Sequence, residues 1–176
     1  MQQGNLSDHQ PETWGTSLPD FFEVMPNSLW LEDYSRLYEL FADWQAQGVT
    51  NLRAYLEEDS NRVAQCSNCI RLLHVNRETL NMFKAASFEE LSQRLGDVLR
   101  DDMLDAHIDE LESLWAGSTR FQSKSVNYTL DGERLDVLIR AVVLPNHKKN
   151  WDRVLVSLDN ITELENARRR VLASEQ

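Results

Sequence analysis

The chain has 176 residues, with 18 Lys and Arg against 29 Asp and Glu, for a formal net charge of -11. A content of 41% hydrophobic and 27% charged residues is that of a folded domain and excludes a wholly disordered chain. No apolar run reaches the roughly 20 residues of a membrane helix, no export signal follows Met1, and two cysteines cannot build a disulfide framework. The acidity leaves no excess positive charge for nucleic-acid phosphates, since Arg168 to Arg170 and Lys148-Lys149 are small, separate clusters. The expectation is a cytoplasmic domain that neither inserts into membranes nor binds nucleic acid.

Residues 1 to 16 are polar and aperiodic and read as a flexible leader. From Ser28 to Gln47, Leu37, Leu40, Phe41 and Trp44 recur at three- and four-residue spacing, which predicts an amphipathic helix closed by Gly48. A second helix is expected over Asn51 to Glu57. The segment after Asn61 reads as strand, with Cys69 to Val75 running into Asn76, a good helix N-cap. Leu80, Met82 and Phe83 mark the helix that follows. Ser87 with Glu90 forms a capping box, and Asp101 to Trp115 predicts a longer helix closed by Gly117.

The last third reads mainly as strand. Phe121 to Leu130 and Arg134 to Leu144 flank Asp131-Gly132, a strong hairpin signal. Trp151 to Leu158 predicts a third strand, and Thr162 to Gln176 a charged helix. Both alternating faces of Leu135 to Leu144 are largely apolar, so both faces of the sheet need cover. The central helices are assigned to one face and the N-terminal helices to the other, with a partner subunit as the competing cover.

This order, and three local patterns, resemble a PAS domain. Leu72-Leu73-His74-Val75-Asn76-Arg77-Glu78-Thr79-Leu80-Asn81-Met82-Phe83 is similar to the family's second strand and first core helix. Tyr128 to Glu133 resembles its "DG" hairpin, and Val154 to Glu163 its last strand and "D-I-T" junction, with Asn160 and His74 standing where the family often has Asp. Leu29 to Ser35 and Gln47 to Leu56 resemble the helical extension of a bacterial subgroup found upstream of GGDEF and EAL domains or histidine kinases. The resemblance implies an α+β fold: an antiparallel sheet with central helices on one face, an N-terminal helical cap over 17–58, a PAS core over 59–162 and a connector helix over 163–176.

It also implies a non-enzymatic sensory and dimerisation module, a homodimer covalently attached to a downstream signalling domain. A cyclic-di-GMP enzyme is favoured as that effector, with a histidine kinase next. Asp159, Asn160, Ile161 and Thr162 would form the signal junction, and Leu164, Arg168 and Val171 the seam of the connector, at coiled-coil spacing. A ligand pocket is expected among Met103, Ile108, Val126, Tyr128, Val137, Ile139 and Leu155. No cofactor is predicted. An unknown small molecule is one alternative, a haem- or flavin-bearing sensor or a ligand-free interaction module the others.

The remaining chemistry is sparse. Cys66 and Cys69 form a CxxC pair without the further ligands that zinc needs, and read as structural, with a redox pair as the alternative. His107 lies at the edge of an apolar helix stripe and reads as a partly exposed, structural residue; by resemblance it would be the iron ligand if haem were bound. His74 reads as a capping or surface residue. No phosphate-binding glycine motif and no nucleophile with a fixed base is present, so no catalytic residue or metal site is assigned.

Overall fold

The β-forming and helix-forming signals resolve into one five-stranded antiparallel sheet in a computed structural model that describes residues 18–175; the expected leader lies outside the described residues. In chain order the elements are α1 (Asp20–Val24), β1 (Ser28–Asp33), α2 (Ser35–Ala46), α3 (Leu52–Glu58), α4 (Asn61–Asn68), β2 (Arg71–Val75) and α5 (Arg77–Phe83). There follow α6 (Phe88–Gln93), α7 (Leu95–Val98), α8 (Leu104–Trp115), β3 (Arg120–Tyr128), β4 (Arg134–Val143), β5 (Val154–Asn160) and α9 (Thr162–Ser174). The strand order is β2-β1-β5-β4-β3, with every neighbour antiparallel.

The expected helix from Ser28 is corrected here: Ser28–Asp33 is a strand, and helix begins only at Ser35. Leu29, Trp30 and Leu31 are consecutive and all buried, which suits an inner strand covered on both faces. The helical spacing of Leu37, Phe41 and Trp44 starts after it. Because β1 pairs with both β2 and β5, the sheet draws an inner strand from the segment assigned to the cap, and does not begin after residue 59.

A second correction concerns cover. Trp30, Val137 and Val156 of the sheet share one core with Leu37, Phe41 and Trp44 of α2, Leu52 and Leu56 of α3, Val63 and Cys66 of α4, and Leu111 of α8. Helices α2 to α4 therefore lie on the same side of the sheet as α8. Phe41 meets Trp115 edge-on at 5.1 Å, and Arg53 of α3 reaches Asp109 and Glu112 of α8 at 2.5 Å each. The opposite face has a small cluster in which Phe22 of α1 packs with Leu29 and Leu31, with Leu73 and Leu155 beside them. His74, instead of capping a strand end, stacks on Phe22 with ring centroids 5.8 Å apart.

Local chemistry sets most boundaries. Asn51, Asn76 and Ser87 each cap a helix through a side-chain oxygen. Glu90 closes its side of the Ser87 cap one residue early, accepting from the Ala86 N–H at 2.7 Å. Gly132 takes a φ of +91° in the β3–β4 turn, as that turn requires. Trp151 sits in the left-handed region at φ +56°, so β5 starts at Val154 and not at Trp151. That conformation is held by burial of its ring between Tyr38 (5.0 Å) and Phe41 (6.0 Å).

Candidate functional site

Between the helices and the inner face of the sheet lies a cavity of about 490 Å³. Its walls are mostly apolar: Trp30, Leu72, Ile139, Val156 and Leu158 from the sheet, Val63 and Ala64 from α4, and Leu95, Leu99, Met103 and Leu104 opposite. Into this apolar space open a few polar groups, Glu32, Tyr34, Ser67, His107, Glu110 and Asn127, with Arg100 also on its wall.

Of the seven pocket residues expected from sequence, Met103 and Ile139 line this cavity. Ile108 packs against the main core, and Val137 is fully buried within it. Leu155 points to the opposite face, beside Phe22. Val126 and Tyr128 are displaced by strand parity: they pair with Asp136 and Arg134, whereas the inward Val137 and Ile139 pair with Ser125 and Ser123. Tyr128 instead donates its hydroxyl proton to Asp102, with the Arg100 guanidinium 4.0 Å above its ring. The inner face of β3 is thus polar where the larger apolar residues suggested otherwise.

That polarity leaves two groups unpartnered. Ser125 Oγ and Asn127 Oδ1 are buried without a hydrogen-bond partner, although Asn127 Nδ2 donates to the Val126 carbonyl at 3.1 Å. Asn127 is 1% exposed and lines the cavity. A buried acceptor with nothing donating to it costs about 1–3 kcal/mol.

The network around Tyr34 is the second feature missed from sequence. Its hydroxyl lies 2.8 Å from both Glu32 Oε2 and Glu110 Oε1. One hydroxyl carries one proton, so it donates to one carboxylate and must accept from the other, which is then a carboxylic acid. Burial, reinforced by the charge of Glu110, raises the Glu32 carboxyl from 4.5 to about 8, which assigns the shared proton to Glu32 at neutral pH. Glu32 keeps some accessible surface, but it lines the cavity and is ringed by protein, so burial dominates. Tyr34 itself is pushed well above the ordinary phenol value by burial and then by the two glutamates.

The chain of contacts continues. Glu110 Oε2 is 3.7 Å from His107 Nδ1, and His107 Nε2 is 2.9 Å from Ser67 Oγ, whose proton goes to the Val63 carbonyl at 3.1 Å. His107 is buried, not partly exposed as expected, and its ring is built into this network. With Ser67 on one nitrogen and Glu110 facing the other, it is not presented as an iron ligand, so haem does not fit.

Neither thiol lines the cavity, so cysteine photochemistry on a flavin does not fit either. The CxxC pair stands at the C-terminal end of α4, where strand was expected, and burial pushes the Cys66 thiol up to about 12. Cys69 is also raised, chiefly by burial. A helix C-terminus disfavours thiolate, which argues against a redox pair. At pH 8, iodoacetamide should leave Cys66 unmodified in the folded protein and label it only after denaturation, as read by peptide mass spectrometry; rapid native labelling of Cys66 would contradict this placement. Among the described residues, no group of three or more His, Cys, Asp or Glu is placed to hold a metal ion.

At the far end of the sheet, Asn160 Oδ1 accepts from the Thr162 N–H at 3.1 Å and from its hydroxyl at 2.6 Å, starting α9. Thr162 Oγ1 in turn accepts from the Asp136 N–H at 3.0 Å, and the Ile161 N–H donates to the Asp136 carbonyl at 2.8 Å. Arg169 crosses from α9 to the buried Asp136 carboxylate at 3.0 Å, and Lys124 pairs with Glu165 at 2.5 Å. Asp159, the other expected junction residue, is held by Arg140 at 2.6 Å. Helix α9 buries none of its residues, and Leu164, Val171 and Leu172 are exposed along it.

A sheet in the order β2-β1-β5-β4-β3, a helical layer over one face and an outgoing helix from the last strand decide the fold. The chain has a PAS fold. No protein-family model and no curated protein matches it. Solved PAS and LOV structures do share this fold. A Rhodobacter sphaeroides LOV protein is 17% identical over 88% of this chain and 70% of its own, with a TM-score of 0.54. The LOV domain of the Erythrobacter litoralis EL346 blue-light activated histidine kinase is 12% identical over 78% and 98%, at 0.51. A PAS domain from Colwellia psychrerythraea is 10% identical over 81% and 92%, at 0.50. The chain spans 63% of the length of an RsLOV structure that it also matches. Relative to the usual hairpin of adjacent antiparallel strands, this PAS fold interposes α2, α3 and α4 between β1 and β2. Among the described residues no helix is long and apolar enough to cross a membrane.

Proposed function

We propose that this PAS domain is a sensory module that admits a small molecule to the cavity and passes the resulting change through β5 to α9. The observation that carries the reading is the cavity itself: about 490 Å³ of mostly apolar space holding an unpartnered buried acceptor, Asn127 Oδ1. A route outward is supported by continuity. Val156 and Leu158 line the cavity, β5 runs from them to Asn160, and the Asp136 contacts tie α9 to the sheet.

In this reading the domain is regulatory and non-enzymatic, works in the cytoplasm of a bacterium, and acts on a downstream domain as a homodimer. The exposed Leu164, Val171 and Leu172 support pairing of α9 with a second copy. A cyclic-di-GMP enzyme of the GGDEF or EAL type is favoured as effector by resemblance of the N-terminal extension. A histidine kinase comes second, and the shared fold with the EL346 LOV domain supports it.

The test uses N-phenyl-1-naphthylamine, an uncharged apolar fluorophore, with hydrogen exchange as the second readout. One probe should bind per chain, and saturation should change exchange across Thr162–Ser174 severalfold. Absence of saturable binding overturns the ligand site. Binding with unchanged exchange in α9 overturns the relay.

A further inference from the structure

We infer that the cavity selects a small molecule with an apolar body and a protonated amine head, and that the head docks on Glu32 and Glu110 in exchange for the proton they share. The inference rests on the sensory reading above and adds the chemical class of ligand.

Three independent features converge on it. The first is geometric: Glu32, Tyr34 and Glu110 meet at 2.8 Å contacts that balance only with an extra proton between two carboxyls. A cation can take that proton's place. The second is the free hydrogen-bonding capacity of the lining. Asn127 Oδ1 is a buried acceptor without a donor, and the carboxyl groups offer further acceptors, so the cavity asks for donors. The third is the wall itself, where leucine, isoleucine, valine and methionine predominate and fit an apolar body, leaving the charged head to the two glutamates.

The charged and titratable groups around the head site are few. Glu32 comes from β1, Tyr34 follows it, and His107 and Glu110 come from α8, with His107 Nδ1 3.7 Å from Glu110. Helix α4 presents the uncharged Ser67. Arg100 is exposed, occupied by the Tyr128 ring and by the Asp97 carbonyl, to which its Nε donates at 3.0 Å. A carboxylate ligand would meet two acids, and an alcohol would gain no counter-charge. An alkylammonium brings three donors and a charge that ionised Glu32 and Glu110 compensate.

The exchange balances. The ammonium enters with its charge, the Glu32 carboxylic acid releases its proton to solvent, and the total charge of the filled cavity is unchanged. Burial raises the Glu32 carboxyl to about 8, so at pH 7 nearly a full proton is there to be released.

The experiment displaces N-phenyl-1-naphthylamine with n-hexylamine, n-hexanol and n-hexanoate, and measures proton release calorimetrically in two buffers of different ionisation enthalpy. Hexylamine should bind at least about tenfold more tightly than hexanol, and hexanoate most weakly, as expected for a charge-assisted head group. Hexylamine should release up to about one proton at pH 7 and hexanol none. Glu32→Gln, which keeps the shape of the protonated acid, should bring hexylamine to within a few-fold of hexanol and abolish the proton release. If the fluorophore binds but hexanol or hexanoate matches hexylamine, the amine inference fails while the cavity reading stands. If the fluorophore and all three compounds fail to bind, both fail. The ligand series on the unmodified protein decides the matter even if a variant does not fold.

Discussion

Glu32→Gln should make the protein more stable above neutral pH and flatten its pH dependence. In the unfolded chain the Glu32 carboxyl titrates at its ordinary 4.5, and in the fold at about 8. Between those values the native state holds a proton that the unfolded state has shed. The contribution is therefore fully present below about pH 4.5 and is lost as pH rises through about 8. By linkage the loss is on the order of 3–5 kcal/mol once Glu32 is ionised.

Glutamine at this position cannot ionise, and its amide can donate to Tyr34 as the acid does. At pH 9 the variant should exceed the wild type by ~2–4 kcal/mol, or roughly 5–15 °C in melting temperature for a chain of this size. Near pH 5 the two should nearly coincide. Urea unfolding at several pH values checks this, because every other titrating group is common to both proteins. Parallel pH profiles would mean that Glu32 ionises freely in the fold.

Asn76→Ala should cost about 2–4 kcal/mol at any pH near neutral, by loss of a cap and exposure of orphaned backbone groups. The side chain is fully buried and joins three segments. Its Oδ1 accepts from the Leu29 N–H at 3.0 Å and the Thr79 N–H at 3.2 Å, so it caps α5 and pins β1 at once. Its Nδ2 donates to the Asn27 carbonyl at 2.8 Å. Thr79 then bonds Ser28, whose Oγ accepts from the Trp30 indole at 3.0 Å. Alanine deletes the cap and leaves the buried Leu29 N–H and the part-buried Asn27 C=O without partners. Asn76→Asp retains the acceptor but loses the donor and buries a charge, so it should not rescue stability. Denaturant midpoints measure both, and a change below about 1 kcal/mol would mean that water replaces the side chain.

The same residue shows how far local pattern reaches. Asn76, Ser87 and the Asp131-Gly132 turn were legible because capping and tight turns are chemistry of a few adjacent residues. The connection of Asn76 to Leu29, 47 positions away, was not. Ser28–Asp33 was misplaced for a related reason. Its run of buried residues reflects cover on both faces, Trp30 under the main helical layer and Leu29 and Leu31 against Phe22, and its ladder partners β2 and β5 lie far off in sequence. Helix α4 was hidden because Asn61 to Asn68 holds few apolar residues to set a period.

Sequence alone determined the order of the later elements, the hairpin, the outgoing helix and the family they resemble, since each depends on periodicity or short-range chemistry. Only the tertiary structure decided which face of β3 looks inward, where α2 to α4 lie, and that Glu32 and Glu110 meet over one hydroxyl. Strand parity turns on a single residue of register, and a shared proton needs two acids from distant elements. Neither leaves a mark that can be read along the chain.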